Sequence, residues 1–107
     1  MPINIFEYLN FREFLKDAYK TEHANNWRFS HRYIAEIGRF DATLFNKILQ
    51  GKRNLTGRFV SVFADIFCKE PKEKSYFMDM VAFNQAKNYT EQRKFLERLM
   101  AAKECRV

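Results

Sequence analysis

The sequence predicts an all-α domain of five or six helices. Three observations carry this expectation. Apolar residues recur at three- and four-residue spacing along most of the chain, which is the pattern of amphipathic helices. Three glycines and two prolines among 107 residues leave little turn chemistry for a many-stranded sheet fold. Polar residues suited to helix N-caps precede several of the apolar runs. The length suits one domain, residues 1–107, and twelve Phe and five Tyr supply more large apolar groups than a disordered chain carries.

The elements follow in order. Ile3 to Leu9 is short and apolar, and reads either as a strand-like arm or as an extra turn. Asn10, with Glu13 three residues on, forms a reciprocal cap for a helix of roughly three turns. Phe11, Phe14, Leu15, Ala18 and Tyr19 make its apolar face, with Arg12, Glu13, Lys16 and Asp17 turned outward. His23 to Trp27 reads as a loop, Asn25 and Asn26 suiting its turns, and Trp27 is expected to close the end of the core. Ser30 caps a short helix carrying Ile34, Ala35 and Ile37, and Gly38 ends it by entering the left-handed conformation. A second short helix spans Ala42 to Gln50, with Phe45, Ile48 and Leu49 apolar and Gly51 as its stop.

Lys52 to Gly57 is a basic polar loop, and Thr56 is expected to cap the next helix, which carries Val60, Phe63, Ala64 and Phe67. Pro71 suits the first turn of a helix running through Tyr76, Phe77, Met80, Val81 and Asn84. Thr90 is expected to cap the last helix, which has Phe95, Leu96, Leu99 and Met100 on one side and reaches Glu104. The stretch from Glu73 to Lys87 is apolar over most of its circumference, so it must be covered on nearly all sides.

The formal net charge is +6, and residues 28–58 hold seven basic against two acidic side chains, a net +5. Charge so concentrated suits a polyanionic partner if the segment has a matching shape. No apolar run approaches the roughly 20 residues that cross a bilayer. The first residues lack a basic segment followed by an apolar stretch, so a cytoplasmic location and no membrane partner are expected. Cys68 and Cys105 have no CxxC spacing and read as reduced thiols. No metal site, cofactor or catalytic residue is predicted. His23 and His31, the two histidines, have no recognisable nucleophile or carboxylate partner and read as surface residues, so the chain is not expected to be an enzyme.

The middle of the chain has the shape that the charge requires. Two short helices joined by a tight turn need a small residue where they cross, which Ala35 supplies, and bulky groups beneath, which Phe45 and Ile48 supply. Ser30, Ala35, Phe45, Ile48 and Gly51-Lys52-Arg53 resemble the phage-repressor and Cro type of helix-turn-helix. The resemblance implies a lambda-repressor-like core over about residues 30–68, followed by C-terminal helices over 71–104. A wider resemblance rests on four segments in order: Tyr8 to Leu15 (YLNFREFL), Phe29 to Ala35 (FSHRYIA), Gly51 to Leu55 (GKRNL) and Phe83 to Lys87 (FNQAK). Together they resemble the N-terminal half of a paralogous family of bacterial transcription regulators. That family implies a further C-terminal domain, so the chain is expected to be the N-terminal part of a longer protein.

By the docking geometry of that type, Ala42, Thr43, Asn46, Lys47 and Gln50 are the expected base contacts in double-stranded DNA. Ser30, His31, Arg32, Lys52, Arg53 and Asn54 are the expected phosphate contacts, with Arg28, Arg39 and Arg58 as further candidates. The helices at 73–87 and 90–104 are the expected contact with a second copy of the chain or with the further domain. Three features depart from the pattern: Arg39 stands where the type has its turn glycine, Asp41 opens the reading helix, and no Arg occurs between Phe40 and Gly51. They favour the rival reading, a protein–protein adaptor on the same scaffold that does not read DNA, with the apolar helix near Met80 as its working surface.

Overall fold

A computed structural model describes residues 3–104, and these form six α-helices, one short 3-10 turn and no strand. The expected all-α architecture is therefore what is found. The arm resolves as the turn Ile5–Glu7, with Asn4 accepting from the Phe6 N–H at its start. Helix α1 spans Phe11–Asn25 and is capped by Asn10, whose Oδ1 accepts from the N–H groups of Arg12 and Glu13. It runs further than its sequence suggests, through most of the segment expected to be a loop. The His23 ring stacks on Tyr19 one turn back, and the Asn26 N–H closes the final turn on the Glu22 carbonyl.

Helix α2 is His31–Gly38 and α3 is Ala42–Leu49. Ser30 caps α2 through its hydroxyl oxygen, as expected. Gly38 does not supply the left-handed residue at the end of α2; Arg39 does, with φ 56° and ψ 56°. Gly38 is instead a point of close approach. A Cβ there would lie 2.3 Å from the Phe40 ring and 3.0 Å from Val62. The glycine is thus required by packing, and the backbone strain passes to the next residue.

Helix α4 is Arg58–Phe67, α5 is Pro71–Gln85 and α6 is Tyr89–Glu104. Two expected caps move. Gly57, at φ 58° and ψ −137°, is the residue before α4 and gives no side-chain cap, because the chain turns there in a region open only to glycine; Thr56 is one position too early. At the last helix Asn88 accepts from the Glu91 N–H, so α6 begins before Thr90. Pro71 sits in the first turn of α5 as expected.

Helices α1 to α5 and the 3-10 turn surround one core, and α6 packs against α5. Phe11, Phe14, Leu15, Ile34, Phe45, Ile48, Phe63, Phe77 and Leu99 are all buried in it. The apolar α5 is covered within the domain: Tyr76, Phe77, Met80 and Val81 are buried, leaving Met78 partly open. Of the surface expected as the working face of an adaptor, Met80 itself is buried and Met78 is exposed. Trp27 does not close the core either. It is 74% exposed, with the Arg28 guanidinium 5.4 Å from its ring, while Phe29 packs among Tyr19, Tyr33 and Phe67. Cys68 is buried, and burial pushes its thiol up to about 12, so it is not a reactive thiolate; Cys105 lies outside the described residues.

Candidate nucleic-acid interface

Helix α3 is held by its apolar side. Phe45 is fully buried among the rings of Tyr19, His31, Phe63 and Phe67, with centroids 4.8–6.0 Å away. Ile48 and Leu49 complete the buried stripe; α2 packs against α3, and Ala35 of α2 is buried. Thr43, Asn46, Lys47 and Gln50 are spaced by three and four residues, so they share the opposite face, and all four are exposed. Ala42 is half-buried. Four of the five expected base-reading positions thus stand open on one side of a helix whose other side is fixed.

Asp41 caps this helix, its Oδ1 accepting from the Thr43 N–H at 2.9 Å. That hydrogen bond holds the carboxyl below its ordinary range, so it is ionised at neutral pH at the mouth of the candidate face. At the other end the helix stops in a paired pattern. The Gly51 N–H bonds the Ile48 carbonyl and the Lys52 N–H bonds the Lys47 carbonyl, with Gly51 at φ 80°.

The expected phosphate-gripping residues fall into two groups. Lys52, Arg53 and Asn54 are exposed on the loop that leaves α3. Ser30, His31 and Arg32 stand at the start of α2, where free backbone N–H groups point outward. Within the second group the side chains differ. Ser30 accepts from the Tyr33 N–H but keeps its hydroxyl hydrogen to donate. Arg32 is exposed and pairs with Glu36 at 3.5 Å.

His31 is not the surface residue expected. It is half-buried, with its ring 4.6 Å from that of Tyr19 and 4.8 Å from that of Phe45. Burial, aided by nearby His23, lowers its pKa, so it offers an N–H to an anion and not a charge. Arg58 is exposed but engaged, donating to the carbonyls of Gly38 and Arg39 at 3.2 and 2.8 Å.

Three residues at this site carry functions that the apolar pattern conceals. Arg12, expected to face solvent from α1, is half-buried and reaches across to the end of α3. Its Nε donates to the Ile48 carbonyl at 2.9 Å, and one Nη donates to the Arg53 carbonyl at 3.2 Å and to Asn54 Oδ1 at 3.3 Å. Gln85, the last residue of α5, holds Leu55 twice: its Oε1 accepts from the Leu55 N–H at 2.7 Å and its Nε2 donates to the Leu55 carbonyl at 2.8 Å. Asn84 does the same for the start of α1, accepting from the Phe11 N–H and donating to the Leu9 carbonyl, each at 2.7 Å. The signal available in the sequence was an Asn-Gln pair directly after the apolar run Met80 to Phe83.

Three of the four resembling segments are joined by these bonds, since Arg12 and Leu9 lie in the first, Asn54 and Leu55 in the third, and Asn84 and Gln85 in the last. No protein-family model, curated protein or solved structure matches the chain. Among the described residues no three His, Cys, Asp or Glu side chains gather closely enough to hold a metal ion, and no helix is long and apolar enough to cross a membrane.

Proposed function

We propose that this chain is the DNA-binding module of a bacterial transcription regulator of the helix-turn-helix type, with α3 lying in the major groove. The observation that carries the reading is the uncovered polar face of α3 beside an exposed basic loop that hydrogen bonds hold in place. The major groove, about 12 Å wide, admits a helix. Lys47 is then placed for a guanine, Asn46 or Gln50 for an adenine, and Thr43 for a thymine methyl. Lys52, Arg53 and Asn54, with the N-terminus of α2, take the phosphates. The family resemblance rests on its four segments alone. If the DNA sites are two-fold symmetric, a dimer is expected.

The test is a salt titration of duplex binding. Replacing Lys52 and Arg53 by Ala together weakens binding to every duplex and flattens the log–log salt slope by about 0.9 per lost phosphate contact. Lys47→Ala instead costs ~1–3 kcal/mol, mainly on the preferred sequence. An unchanged slope in the double variant overturns the assignment of the loop, and absence of duplex binding by the unaltered protein overturns the function.

One observation favours the adaptor reading. Trp27, Tyr33 and Ile37 are all exposed, and the last two line an open groove between α2 and α4. An exposed Trp and Tyr, with Arg28 against the Trp27 ring, have the composition of a protein-binding hot spot. An adaptor would leave duplex DNA unretained even at low salt, and would lose its partner on Trp27→Ala.

A further inference from the structure

We infer that Arg12, Asn84 and Gln85 are positioning residues for the proposed DNA interface, fixing the loop from Lys52 to Leu55 and, with it, the phosphate contacts of Lys52 and Arg53. This inference rests on the DNA-binding reading and specifies how that site is kept in order.

The loop has few other means of holding one shape. Lys52, Arg53 and Asn54 are exposed, and Leu55 is its buried anchor. A polar loop of this kind pays ordering entropy when it binds, unless it is ordered beforehand. The clasp removes that cost from two directions. Arg12 fastens the loop to the last turn of α3, through the Ile48 carbonyl on one side and the Arg53 carbonyl and Asn54 side chain on the other. Gln85 fastens Leu55 to α5 through a donor and an acceptor on the same amide, the pairing that a neighbouring strand would supply. Asn84 joins the same end of α5 to the start of α1, so the helix bearing Arg12 and the helix bearing Gln85 are tied to each other. Helix α5 in turn is fixed by the burial of Met80 and Val81. The basic loop is thereby referred to the hydrophobic core through backbone atoms, which leaves its charged side chains free to face outward.

Two variants test this. Gln85→Met keeps the length of the side chain and removes both bonds to Leu55; Arg12→Lys keeps the charge and loses the fork. Helix content by circular dichroism, amide hydrogen exchange over residues 52–55, and the salt slope for a mixed-sequence duplex are measured on each. The expected result for Gln85→Met is unchanged helix content, exchange of the Leu55 amide at least tenfold faster, and a salt slope flattened by about 0.9–1.8, equivalent to one or two phosphate contacts. Arg12→Lys should give smaller changes of the same sign.

A folded Gln85→Met protein with unchanged exchange and slope overturns the inference. So does a lowered melting temperature with an unchanged slope, which is the mark of a purely structural role. If Gln85→Met fails to fold, Arg12→Lys decides by the same readouts. If the unaltered protein shows no salt-dependent duplex binding, the proposed function falls. The loop exchange then decides the clasp alone: faster exchange in the variants retains it, and unchanged exchange overturns it.

Discussion

Helices α2 and α3 end in the same way, and one residue separates the two endings. Each closes with a backbone N–H reaching five residues back: Phe40 to Ala35 in the first and Lys52 to Lys47 in the second. Each has a left-handed residue at the stop. Each also receives an arginine fork from another helix on its final carbonyls, Arg58 on Gly38 and Arg39, and Arg12 on Ile48. Positive charge at a helix C-terminus opposes the negative end of the macrodipole, so both arginines act in the same sense. The left-handed residue is Gly51 at one stop and Arg39 at the other. A glycine at 39 would relieve that strain; the glycine of this turn stands at 38 instead, where a Cβ would meet Phe40 and Val62. The two stops differ in what each position demands: at the end of α2 packing demands a glycine at 38 and the left-handed turn falls on Arg39, whereas at the end of α3 the left-handed turn falls on Gly51.

The largest expected effect comes from removing the fork at the second stop. Arg12→Ala should cost about 1.5–3 kcal/mol, the range for hydrogen bonds to a charged group, read as a fall in the denaturant midpoint. A loss no larger than that of an exposed charge would show that the fork contributes little. At the first stop, Gly38→Ala should cost about 1–3 kcal/mol by overpacking against the Phe40 ring. If it is neutral, the close approach at 38 is not what excludes a side chain.

Arg39→Gly should act in the opposite direction. It should stabilise by about 0.5–1 kcal/mol, because it removes a left-handed non-glycine residue while giving back some unfolded-state entropy. A melting temperature that falls would mean that the Arg39 side chain does more than its exposure implies.

The smallest effect concerns His31. Burial lowers its pKa in the folded protein, so the unfolded chain binds more protons through its titration range. Stability is then full above the unfolded value of about 6.5 and is lost as pH falls from there toward the folded value. His31→Gln should flatten that part of the stability–pH curve. An unchanged curve would place the acid sensitivity elsewhere.

Short-range chemistry was legible because its partners lie within one turn. Asn10 and Ser30 cap the helices predicted for them, Pro71 opens α5, and Gly51 stops α3. The buried stripe of α3 and its open opposite face follow from spacing alone, since a helix of known phase leaves no other arrangement. The misplaced caps at Thr56 and Thr90 lay next to Gly57 and Asn88, which compete for the same role, and neighbouring residues of similar propensity cannot be ranked without the path of the chain.

What the sequence by itself determined was an all-α chain of five or six helices, their apolar faces and the concentration of positive charge, because each depends on residues close along the chain. The tertiary structure alone decided that Trp27 stays outside, that α5 is covered by its own domain, and that Arg12 turns inward to the end of α3. It also decided that Gln85 grips Leu55 from thirty residues away. Those outcomes depend on which surfaces and backbone groups meet once the helices are packed, and no periodicity within a helix encodes a hydrogen bond to a loop in another part of the chain.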